Sequence, residues 1–70
     1  MSAQSRLFDR AAECSHRMIT TSDPVKKHSL KRLRDMWIAL ANESTSMTMP
    51  ELHREVATVE AIQAGIDPRH

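Results

Sequence analysis

Seventy residues with ten Lys or Arg, nine Asp or Glu and a formal net charge of +1 leave room for one small domain and no strongly charged partner-binding tail. Chains of this size bury only about 60% of their unfolded surface, so a lone core is marginal and oligomerisation is one common supplement. Cys14 is the only cysteine, which excludes an internal disulfide and fits a reducing compartment, so the expected location is the cytoplasm.

No apolar stretch approaches the ~20 residues that a membrane span needs; the longest run is Met36-Trp37-Ile38-Ala39-Leu40-Ala41. The first ten residues lack the apolar segment of a secretory signal, so none is expected. With one Gly, one Phe, one Trp and no Tyr, and no strand-length alternation of β-branched residues, the chain reads as all-α. The expectation is a single helical domain over residues 1–70.

The first helix is predicted over about residues 5–20. Leu7, Ala11, Cys14 and Met18 step by four, three and four, the spacing of a packing seam. Phe8, Ala12, Ser15 and Ile19 widen this apolar arc, and Arg6, Asp9, Arg10, Glu13, His16 and Arg17 occupy the other side. Asp23-Pro24 then marks a new start. The carboxylate of Asp23 suits the N-cap, and Pro24 suits the first helical position, where its missing N–H costs nothing. So short a connection folds the second helix back antiparallel to the first.

The second helix is predicted over about residues 24–43, with Leu30, Leu33, Trp37 and Leu40 as the matching seam. Val25 and Ala41 join its apolar arc, while Ile38 falls among Lys27, Lys31 and Arg34 as an isolated surface residue. Residues 42–49 read as a polar loop whose Ser, Thr and Asn side chains compete for backbone hydrogen bonds. Thr48-Met49-Pro50-Glu51 matches the capping box S/T-x-x-E and opens a third helix over about residues 49–64. Its core positions would be Leu52, Val56, Val59, Ile62 and Ile66. Gly65 is expected to end the helix in the left-handed conformation, with residues 67–70 as a flexible tail. The architecture expected is thus an antiparallel hairpin plus a third helix, bundle-like.

Ala11-Ala12-Glu13-Cys14, Asp23-Pro24 and the series Leu30, Leu33, Trp37, Leu40-Ala41 together resemble a group of short alphaproteobacterial helical-hairpin proteins of unknown function. Their pattern runs A-x-E-C, D-P, then L-x-x-L-x-x-x-W-x-x-L-A. The resemblance covers about Phe8 to Glu43, roughly half the chain. It implies a helical hairpin and no activity, and it does not extend to the third helix.

Motif chemistry is sparse. Cys14 and His16 stand two residues apart and face different directions, while His28 and His53 lack a His or Cys at helical ligand spacing, so no metal site is expected. A single Gly cannot build a phosphate-cradling loop, and no spacing marks a catalytic triad. Neither an enzyme nor a cofactor is expected. Lys27, Lys31 and Arg34, at i, i+4 and i+7, form a basic stripe that supports an alternative reading as a weak nucleic-acid-binding accessory protein. Glu51, Glu55 and Glu60 would repel phosphate from the third helix, which makes nucleic acid the lesser reading. The first two helices each carry an apolar arc wider than the roughly 100° that one neighbour covers. The favoured reading is therefore a self-associating protein-interaction module, scaffold or regulator. It would form a homodimer by shared bundle packing, with Leu7, Ala11, Cys14, Met18, Leu30, Leu33, Trp37 and Leu40 as its association surface or core and Trp37 at the seam, and an unidentified protein partner is the other candidate.

Overall fold

The computed structural model describes residues 3–66. Three helices follow one another: α1 over Ala3–Thr20, α2 over Pro24–Glu43 and α3 over Met49–Ile66, with a single 3-10 turn at Ser44–Ser46. There is no strand among the described residues. Each helix start has a local cause. Asp23 adopts an extended backbone conformation and its Oδ1 accepts from the Val25 N–H at 2.9 Å, while Pro24 supplies the preset φ of the first helical residue. At α3 the capping box closes in both directions: Thr48 N–H donates to Glu51 Oε1 at 2.9 Å and Glu51 N–H donates to Thr48 Oγ1 at 3.3 Å. The loop between α2 and α3 uses its hydroxyls as expected, with Ser44 Oγ donating to the Ala41 carbonyl and Ser46 Oγ to that of Glu43.

α1 and α2 form the antiparallel hairpin. Leu7, Ala11 and Cys14 from α1 meet Leu33, Trp37, Leu40 and Ala41 from α2 in one buried cluster, and Leu30 is fully buried as well. Gln4 Nε2 donates to the Ala41 carbonyl at 3.1 Å, tying the start of α1 to the end of α2. α3 lies along one face of this hairpin. It contributes Leu52 and Val59 as buried residues, with Val56 and Ile66 half-buried against the same cluster.

Four expectations need correction. Gly65 does not terminate α3: no glycine has positive φ and the helix runs on to Ile66. Ile66 lies seven residues after Val59 and so returns to the core-facing side, and the helix gains that contact by continuing. Ile38 is not an isolated surface residue but packs half-buried against the cluster. Val25 and Ile62, placed in the apolar arcs, are 75% and 40% exposed. Trp37 does not need a second chain to cover it, being 0% exposed within one, because the third helix closes over the side of the hairpin that the sequence left uncovered. The predicted tail lies outside the described residues.

Truncating a buried Trp costs about 3–5 kcal/mol, comparable to the whole stability of a domain this small. Trp37→Ala should therefore abolish most of the far-ultraviolet helical signal at every protein concentration. A variant that regains the native signal on concentration would mean that association, not the single chain, encloses the indole. Gly65→Ala should act in the opposite sense. A Cβ there meets nothing within 4 Å, so a thermal melt should show a gain of about 0.5 kcal/mol from helix propensity and the reduced freedom of the unfolded chain.

Candidate interaction surface

Of the eight residues expected to form the seam, Leu7, Ala11, Cys14, Leu33, Trp37 and Leu40 share one buried cluster. Leu7, Ala11, Cys14, Leu30, Leu33, Trp37 and Leu40 are all buried and Met18 is half-buried. They form the inside of one chain, so the surface available to a partner is made by other residues.

α3 settles on one flank of each hairpin helix. On α1 that flank carries Ala3, Arg6 and Arg10, which line a cleft shared with Met49, Leu52, His53 and Val56 of α3. On α2 it carries Met36, Ala39, Leu40 and Glu43, which line a groove shared with Glu55, Val59 and Ile62. The α1–α3 junction is closed by Arg10. Its guanidinium stands 5.0 Å from the centre of the Trp37 ring and its Nη2 donates to Glu60 Oε2 at 2.6 Å. Both side chains of that ion pair are about half in water, at 40% and 46% exposure, so the pair contributes at most about 1 kcal/mol. Trp37 Nε1 and Gln63 Oε1 are buried without a partner among the described residues, an unmatched donor and acceptor that cost stability rather than supply it. The cleft above Trp37 encloses about 260 Å³, below the roughly 300–1,000 Å³ of ordinary ligand pockets, and one of its cations is already committed to Glu60.

The opposite flanks are open. Phe8, Ala12, Ser15 and Ile19 of α1 follow the three-four spacing of a second stripe. Phe8 is 41% and Ile19 81% exposed. Beside them on α2 run Lys27 and Lys31, both exposed, and the half-buried Arg34 and Ile38. Ser15, Met18, Ile19, Lys27 and Arg34 line a shallow groove there. Arg34 is not a free cation, since its Nη2 and Nε donate to Asp35 Oδ1 at 2.9 and 3.2 Å. Of the basic stripe, then, Lys27 and Lys31 are the exposed cations. Sequence reasoning had found both the wide arcs and the basic stripe. It missed that they join on one face, because only the placement of α3 decides which flank of each arc remains open.

Among the described residues no group of three or more His, Cys, Asp or Glu side chains could hold a metal ion. No described helix is long and apolar enough to cross a membrane. Comparison with protein-family models, with curated proteins and with solved structures yields no match.

Cys14 is 2% exposed. Burial pushes its thiol pKa above the ordinary value, an effect opposed by the positive charge of Arg17 and reinforced by Glu13. The folded state thus holds the proton more tightly than the unfolded chain does. This contribution to stability is intact below the ordinary thiol range and is lost as pH rises through the folded value. Thermal melts should show wild-type stability falling more steeply in alkali than that of Cys14→Ala. Identical alkaline slopes would show that the thiol titrates as freely as in the unfolded chain.

Proposed function

We propose that this chain is a protein-interaction module that works in the cytoplasm by associating with copies of itself. The observation that carries this reading is the exposed apolar stripe on the side of the hairpin away from α3, where Ile19 is 81% and Phe8 41% exposed. Burying a side chain such as Ile or Phe is worth about 1.5–3 kcal/mol, and contiguous apolar surface of this kind marks interaction sites. The nucleic-acid reading has weaker support, since Asp35 neutralises the third cation of its stripe and two lysines alone make few phosphate contacts.

Light scattering after size exclusion tests the proposal. The mass should rise above the 8.0 kDa of one chain as concentration increases. Phe8→Glu with Ile19→Glu should hold the mass at one chain while leaving the helical signal intact, since both side chains already stand partly or largely in water. A wild-type mass of one chain at every accessible concentration would overturn self-association.

A further inference from the structure

Two surface grooves of this fold carry opposite charge. The first, on the open side of the hairpin, is lined by Met18, Ile19 and Ser15 with Lys27 and Arg34, and holds no acid. The neighbouring Lys31 adds a further exposed cation to its edge. The second lies between α2 and α3. It is lined by the apolar Met36, Leu40, Val59 and Ile62 with Glu43 and Glu55, and holds no cation. Both acids are exposed, and Ile62 is 40% exposed. Each groove is an apolar trough with a surplus of one sign: Lys27 and Lys31 at the first, where Arg34 is matched by Asp35, and Glu43 and Glu55 at the second, where Arg32 stands beyond Met36 and Ala39.

We infer that the basic groove of one copy receives the acidic groove of the next, so that the chain associates head to tail; this inference rests on the self-association proposed above. Pairing of like grooves about a two-fold axis would place Lys27 and Lys31 against their own counterparts, or Glu43 and Glu55 against theirs. Like charges brought together across an interface oppose pairing. Pairing of unlike grooves replaces that repulsion by complementarity and buries Ile19 and Ile62 in the same contact. Geometry excludes a closed pair in which both contacts form at once. Lys27 and Glu43 are sixteen residues apart on one helix and therefore point about 160° away from each other at 100° per residue. The grooves open on opposite sides of α2. A contact between different patches on opposite sides is heterologous, and it propagates as a chain or closes as a ring of several copies. Assembly is thus expected to continue beyond the dimer, against the two-fold homodimer that the helical seams suggested.

Charge reversal in the full-length protein tests this. Lys27→Glu with Lys31→Glu makes both grooves acidic, and Glu43→Lys with Glu55→Lys makes both basic. These positions avoid Glu51, which caps α3, and Arg34, which is paired with Asp35. Each double variant alone should stay at the mass of one chain, its association weakened by roughly tenfold or more. An equimolar mixture should regain the concentration-dependent mass of the wild type. Combining all four substitutions restores the net charge of +1, because two Lys→Glu changes remove four charges and two Glu→Lys changes add four. This fourfold variant should assemble by itself as the wild type does, which separates groove pairing from attraction between oppositely charged proteins. Circular dichroism of each variant confirms that it is folded. If Glu43→Lys with Glu55→Lys assembles normally, or if the wild-type mass stops at two chains, the head-to-tail arrangement is wrong and self-association stands through another surface. If the wild type never exceeds one chain, both fall together.

Discussion

The enclosure of Trp37 governs this structure. One indole must lose all contact with water inside seventy residues that have no disulfide to help, and two helices cannot surround it. α1 covers one side with Leu7, Ala11 and Cys14, α2 provides Leu33, Leu40 and Ala41, and Leu52 and Val59 of α3 complete the cluster. Arg10 then spans the last gap, its guanidinium over the ring and its charge matched by Glu60. The arrangement has a cost, because the indole N–H is left without an acceptor among the described residues. Hydrophobic enclosure outweighs that loss, since burying a large aromatic side chain contributes more than one unmade hydrogen bond takes away.

The same constraint sets the character of the outer surface. To reach Trp37, α3 has to lie on the Arg10 side of α1 and the Met36 side of α2. The other flanks are left to the solvent, and there Phe8 and Ile19 stand beside Lys27 and Lys31. A single packing decision in the core thus determines which apolar residues remain outside and which charges accompany them.

Much of the fold was legible in the sequence because its signals are local. The three-four spacing of Leu7, Ala11, Cys14 and of Leu30, Leu33, Trp37, Leu40 reports which side of each helix turns inward, whatever the rest of the chain does. Asp23-Pro24 and Thr48 with Glu51 act within a turn of themselves, and their hydrogen bonds form where the residue types place them. Gly65 misled because a glycine permits the left-handed conformation without requiring it, and the packing of Ile66 weighs on the other side. Ile38 and Val25 misled in complementary ways. A helical wheel locates the centre of an apolar arc, but the edges are covered or bared by neighbours whose positions depend on residues far along the chain. The candidate surface belongs to that second kind of information, and so its two halves were visible while their union was not.

The thinness of the α3 attachment has its own consequence. Only two of its residues are buried, against three from α1 and five from α2, so its docking free energy is a minor share of the total. Helices held this way open and reclose as separate units while the remainder stays folded. Backbone amides of α3 would then exchange with solvent through a low-energy excursion, whereas those around Leu33 and Trp37 wait for the whole chain to unfold. Each such excursion would bare one face of the indole, giving this small protein a second, rarely visited surface whose population is set chiefly by the apolar hold of Leu52, Val56, Val59 and Ile66.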